Sequence, residues 1–168
     1  FDEVVLCTHS DQALRLLRVP SQAEAQHLSA IRYQDNVAVL HTDEKVLPSR
    51  RKAWAAWNYV RAENEQQESS RVCLHYLLNK LQPLPYSQAV VVSLNPTQTI
   101  DSKKIIQTID YAHPVFDLPA IDAQQHLHQI QGQQHTWYAG AWLGYGFHED
   151  GLKSGLSVAR ELLKKVNA

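Results

Sequence analysis

The stretch HTWYAGAWLGYGFHEDGLKSGLSVARELLKKV, from His135 to Val166, decides the fold. Its apolar run Thr136-Trp137-Tyr138-Ala139 predicts a short strand that ends at Gly140. Gly144 and Gly146 mark a glycine-rich loop. A helix is expected from near Asp150, with Leu152, Leu156, Ala159, Leu163 and Val166 on one apolar face. A strand that passes through glycines into a helix start presents backbone N–H groups and a positive dipole end to an electron-rich ligand group. His148 and Glu149 stand directly before that start and are the ionisable residues best placed for chemistry. In the plainer reading the loop is a connection, Glu149 and Asp150 complement the helix dipole, and His148 packs or caps. The pattern is not a dinucleotide fingerprint. Glu149 occupies the place of the third glycine after Gly144 and Gly146, and no ribose-binding acid of a βαβ unit follows.

Upstream, Val4–Cys7 reads as a buried strand, followed by a helix from Ser10, taken as its N-cap, to Leu17. Pro20-Ser21 opens a second helix with Ala23, His27 and Leu28 in register. Strands are expected at 31–41, 53–60, 72–78, 89–94 and 105–116, with a helical turn at 79–82 and a break at Asn95-Pro96. Residues 122–131 read as a helix, and the polar run Arg61–Arg71 as a solvated loop. Consecutive strands with helices at the ends predict an α+β fold with a mixed or antiparallel sheet.

A chain of 168 residues is long enough for one sizeable domain. Its formal charge of −1 excludes a protein built on phosphate neutralisation, so no nucleic-acid partner is expected. Cys7 and Cys73 form no CxxC pair, which points to a reducing, cytoplasmic compartment. No apolar run is long enough for a transmembrane segment. The chain contains no methionine and opens within a predicted strand, so it is read as part of a longer protein.

The nine histidines raise a metal reading. His126 and His128 lie two apart in a predicted helix and point to different faces; His135 and the pair Cys73/His75 add no spaced ligand set, so no metal is expected. No G-x-S-x-G elbow supports a serine hydrolase. Arg50-Arg51-Lys52-Ala53-Trp54 mixes bases with an aromatic, as single-strand binders do, but three adjacent bases read as a solvated turn. Trp54, Trp57 and Tyr145 read as packing residues.

The segments FDEVVLCTHSDQAL, AIRYQDNVAVLHTD, AWAAWNY, NKLQ, VSLNP and above all YAGAWLGYGFHEDGLKSGLSVA carry a resemblance through nearly the whole chain. They resemble the C-terminal part of bacterial FAD-dependent oxidoreductases related to flavin-containing amine oxidases and phytoene-type desaturases. The resemblance implies three parts. Residues 1–18 would be the returning strand and helix of an FAD-binding, Rossmann-like domain whose GxGxxG unit is absent here. Residues 19–133 would form the substrate domain, and residues 134–168 the flavin-contact strand, loop and helix. It implies FAD contact through Gly140, Ala141, Glu149, Gly151 and Leu152, with backbone around Glu149 at the pyrimidine edge and Gly140 passing the ribityl chain. It implies His148 as the catalytic candidate and Asn36 and Val39 as substrate-lining residues. Ala141 stands where amine oxidases of the family carry an acid, the strand at 36–39 lacks their lysine, and His148 replaces an aromatic. A non-amine, apolar substrate is therefore expected, an acyl lipid among the candidates, oxidised by hydride transfer to flavin. The competing expectation is a non-catalytic ligand-binding or assembly module. This chain alone is expected to be inactive and to release FAD, and Gly151→Val to damage flavin contact more than Glu149→Gln does.

Overall fold

The computed structural model describes residues 1–60 and 73–166. The loop expected at Arg61–Arg71 lies outside the described residues. Two compact units result: Phe1–Gln34 together with Pro114–Ala168, and Asp35–His113 between them. The middle unit is thus narrower than the 19–133 expected. The difference has a packing cause, since residues 19–34 and 114–133 bury their apolar side chains with the chain ends.

In the outer unit, β1 (Val4–Leu6) pairs in parallel with β7 (Thr136–Tyr138), Val5 opposite Trp137. Helices α1 (Ser10–Leu16), α2 (Gln22–Ser29) and α4 (Leu118–His126) pack around Ala13, Leu28, Ile31, Ala120, Ile130 and Tyr138. The cap of α1 falls on His9, one residue before the expected Ser10, which is buried with its N–H donated to the Tyr33 hydroxyl at 2.8 Å. Ser21 caps α2 through a capping box. The Glu24 N–H donates to Ser21 Oγ at 3.2 Å, and the Ser21 N–H donates to Glu24 Oε2 at 2.7 Å. Glu24 is itself buried. Burial opposes its charge, but the Tyr138 hydroxyl, donating at 2.6 Å, and the two Ser21 donors outweigh it and lower its pKa. Asp117 caps α4 ahead of Pro119, which starts that helix earlier than the expected Asp122.

One expectation fails in this unit. β1 exists but is not buried, because among the described residues it has only β7 beside it and Val4 and Val5 stay exposed. The final helix is α5 (His148–Val166). Leu152, Leu156 and Leu163 are exposed, while Val158 and Leu162 pack on Trp137 and Ala139. The end of α5 is instead clipped to the N-terminus by Glu3. Its carboxylate accepts from Lys165 Nζ at 2.5 Å, Trp137 Nε1 at 2.7 Å and His135 Nδ1 at 3.0 Å, and these donors hold Glu3 down at about 2.

The middle unit is a five-stranded sheet in the order β3-β4-β5-β2-β6. Its strands are β2 (Tyr33–His41), β3 (Trp57–Val60), β4 (Cys73–Leu77), β5 (Val91–Leu94) and β6 (Ile105–Pro114), with a single turn of helix, α3 (Leu78–Leu81), after β4. β3 is shorter than the 53–60 expected because Arg51–Ala53 forms a 3-10 turn first. The pairs β3–β4, β4–β5 and β5–β2 are antiparallel. Asn95 takes φ 46° where β5 breaks before Pro96, as the Asn-Pro signal predicts.

Strand alternation gives this sheet two unlike faces. One carries Val39, Val91 and Leu77 into a core with Val46, Leu47 and Ile100. The same face buries a polar chain. The Asp43 N–H donates to His41 Nδ1 at 3.0 Å, which leaves the His41 proton on Nε2 to donate to Ser93 Oγ at 2.7 Å. Ser93 in turn donates to His75 Nδ1 at 2.6 Å, and His75 Nε2 lies 3.8 Å from Cys73 Sγ. The directions close only with both imidazoles neutral. Burial lowers both pKa values, that of His75 to about 4, where the neighbouring His41 adds to the effect.

The sign of the pH dependence follows. The unfolded chain binds protons at these histidines below about 6.5, while folded His75 does so only near 4. Stability is complete above pH 6.5 and falls as the pH is lowered from about 6.5 to about 4. Glu3 and Asp43, held at about 2, add their own loss only below about 4.5. Thermal unfolding followed from pH 7.5 to 4.5 checks this. A melting temperature constant across that range would contradict it.

Candidate functional site

The loop between β7 and α5 is built by hydrogen bonds that the sequence pattern only half announces. After Gly140 a 3-10 turn, Ala141–Leu143, is closed by the Leu143 N–H donating to Gly140 O at 3.2 Å. Gly146 takes φ +86°, a conformation that favours glycine, and its N–H donates back to Ala141 O at 3.1 Å. Asp150, in the first turn of α5, accepts the N–H groups of Tyr145 and Phe147 through Oδ2, both at 3.0 Å. Gln124 of α4 donates to the carbonyls of Trp142 and Gly144 at 2.8 and 2.7 Å. Buried Trp142 donates from Nε1 to Thr8 O at 2.9 Å. The result is a loop fixed from three sides, with the first turn of α5 at the surface.

The structure brings together Gly140, Ala141 and Gly151. A Cβ placed on Gly151 would lie 3.7 Å from Ala141 N, and the Gly140 N–H donates at 3.0 Å to Ser154 Oγ, one turn along α5. His148, Glu149 and Leu152 sit together on the exposed first turns of the helix, Glu149 with Lys153 at 3.5 Å. The helix starts at His148, two residues before the expected Asp150. Gly151 is therefore helical and its φ is not positive. The space that Gly140 leaves by lacking a Cβ is filled by the Trp142 indole. Sequence reasoning missed Gln124 and Ser154; their single hydrogen-bonding groups have no local signature. Asp150 was legible only as a dipole-complementing acid.

Asn36 and Val39 do not meet. They are three apart on β2 and project from opposite faces of the sheet. Val39 is a core residue, 6% exposed. Asn36 is 8% exposed and holds β2 to its surroundings, at 3.0 Å from His113 Nδ1 and accepting from Asn95 Nδ2 at 2.7 Å. Two rows of apolar side chains cross four strands on the Asn36 side. One is Trp57, Tyr76, Val92 and Leu40; the other is Tyr59, Leu74, Leu94 and Ala38. Leu40, Leu74, Tyr76, Val92 and Leu94 are half-buried. Trp57 and Tyr145, read as packing residues, are 59% and 66% exposed, and Trp57 meets Tyr76 edge to face at 5.5 Å.

Two histidines serve local structure. His126 and His128 donate from Nδ1 to the backbone carbonyls of Asp122 and Gln125, both at 2.9 Å, so in each ring Nδ1 is the protonated nitrogen. No helix among the described residues is long and apolar enough to cross a membrane.

Neither a family model nor a curated protein matches this sequence. Solved structures do. A fatty acid isomerase from P. acnes, described as producing CLA, matches with a TM-score of 0.60 at 18% identity over 95% of this chain. The fold is shared. A protein from Exiguobacterium sp. 255-15 with a provisional protoporphyrinogen oxidase assignment matches with a TM-score of 0.54 at 12% identity over 96% of this chain. The chain spans 41% of the length of each.

The glycines of this segment should respond differently to alanine. Gly140→Ala drives a methyl into buried Trp142 and should cost about 1–3 kcal/mol. Gly155→Ala meets nothing within 4 Å in the interior of α5 and should stabilise by about 0.5–1 kcal/mol. Denaturant midpoints of the two variants against the parent decide the matter, and a Gly140→Ala protein as stable as the parent would remove the Trp142 argument.

Proposed function

We propose that this chain is the substrate-facing and flavin-ring-facing portion of an FAD-dependent oxidoreductase acting on an apolar, acyl-type molecule. The observation that carries the reading is the segment from Gly140 to Leu152. The motif whose sequence resembles a flavin-contact segment is folded with a helix start exposed at the surface, in a fold matched over 95% of the chain by a fatty acid isomerase.

The residues fit that cofactor on its ring side. The first turn of α5 offers a positive dipole end, and His148, Glu149 and Leu152 surround it without a buried partner. Ala141 and Gly151 pack backbone to backbone beneath and hold the turn in place. A bound flavin supplies two-electron acceptance. With a flavin bound, the helix start would contribute a fixed backbone field, and His148 would be the ionisable side chain able to hold or move a proton beside it. The pyrophosphate-binding unit has no counterpart in this sequence, and we propose residues 1–18, 19–133 and 134–168 as a division of roles toward the cofactor rather than of compact units. The apolar rows on the Asn36 side of the sheet suit a hydrocarbon chain, with Leu40 and Leu94 in the place first given to Val39.

The test uses both this chain and the longest natural polypeptide that contains it. The longer protein should purify with FAD and be reduced anaerobically by an unsaturated fatty acid, whereas the 168-residue chain should elute colourless from gel filtration after incubation with FAD. In the longer protein Glu149→Gln should change the reduction rate by less than about tenfold, since the helix contribution is a backbone one. A longer protein that folds but holds no flavin would sink the enzyme reading in favour of a ligand-binding module.

A further inference from the structure

We propose that one end of the five-stranded sheet is a docking face for an anionic phospholipid surface. The topology collects the parts. The antiparallel order places the end of β2 (His41), the end of β4 (Leu77) and the start of β5 (Val91) side by side, and Trp57 opens β3 opposite Tyr76 at that same end. The Thr42 N–H donates to Lys104 O at 3.0 Å, which brings the start of β6 there too.

The connections at this end are basic. They carry Lys45, Arg50, Arg51, Lys52, Lys103 and Lys104, in a chain whose net charge is −1. Their acids are largely committed. Asp43 pairs with Lys104 at 3.0 Å, Glu44 with Arg51 at 2.8 Å, and Asp101 accepts the Lys103 N–H at 3.0 Å. Lys45, Arg50, Lys52 and Lys103 are exposed with no ion-pair partner among the described residues. Large apolar side chains are exposed at this end of the sheet too. Ile106 is 60% exposed directly after Lys103-Lys104-Ile105, Tyr86 is 60% exposed in the turn before β5, and Trp57 is 59% exposed beyond the Arg51–Ala53 turn.

That mixture selects the occupant. Basic side chains close to a bilayer gain from its negative surface potential, and Trp, Tyr and Ile beside them insert at the headgroup level. A nucleic-acid face would combine its bases with a net positive domain and would gain nothing from exposed isoleucines. Charge brings the sheet end to the surface, and the apolar side chains hold it there. The inference does not rest on the flavin reading.

Vesicle co-sedimentation of the 168-residue chain tests it. At low salt the chain should bind vesicles containing about a third phosphatidylglycerol and not vesicles of phosphatidylcholine alone. The variant Lys45→Gln/Arg50→Gln/Lys52→Gln/Lys103→Gln should bind the anionic vesicles more weakly by at least about tenfold while keeping the parent's circular dichroism. Ile106→Ser should keep low-salt binding but lose more of it than the parent as salt is raised, because the apolar contribution is not screened. Equal binding to both lipids, no binding to either, or full binding by the quadruple variant overturns the proposal. Tighter binding to a DNA duplex than to the anionic vesicles also overturns it and makes the face a nucleic-acid site.

Discussion

The parallel pairing of Val4–Leu6 with Thr136–Tyr138 is the contact on which the other features depend. Parallel strands cannot be joined by a tight turn; they need a crossover. Here the crossover contains two helices, a complete second unit and a third helix before the chain returns. Closing so long a loop carries an entropy cost that rises only slowly with length, so the size of the insertion matters little once the pair has a core to sit on. Leu28, Ile31, Ile130 and Tyr138 supply that core, and Glu3 ties the ends a second time through Trp137 and Lys165.

Once β7 is placed, the loop after it has little freedom. Its strand delivers Gly140 beside Ser154, its indole reaches back to Thr8, and Asp150 gathers two amides of the turn. The first turn of α5 is thereby presented at the surface by a framework that does not use the side chains of His148, Glu149 or Leu152. Those three side chains stand at the surface, outside the hydrogen bonds that fix the loop.

Much of this was legible. Ser21 followed by Glu24 is a capping box in the sequence and in the structure, Asn95-Pro96 ends β5, and the apolar run Val37–Leu40 lies in a strand. Other features were not. In α5 the pattern gives an apolar face but does not say which residues the backbone brings against its neighbours. The helix turns Val158 and the small residues Gly151 and Ser154 inward, where the backbone must come close to Trp137, Ala139 and Ala141. Size predicts burial only when there is room, and here close approach decided the face. Asn36 and Val39 came from the resemblance, and a period of two puts them on opposite faces of β2. Hydrogen bonds across long sequence separations, such as those of Gln124 to Trp142 and Gly144, leave no periodic trace.

The two strands of chain that lead into and out of the middle unit are fastened to each other. The Val115 N–H donates to Arg32 O at 2.8 Å, and Arg32 pairs with Asp117 at 2.6 Å. An insertion that leaves and rejoins its host at one clasp can grow, shrink or be exchanged without shifting the register of β1 on β7. Residues 35–113 are then free to vary in length and sequence while the segment beyond Gly140 stays under the constraints of its own packing. Such a clasp divides one polypeptide into a conservative half and an inventive half.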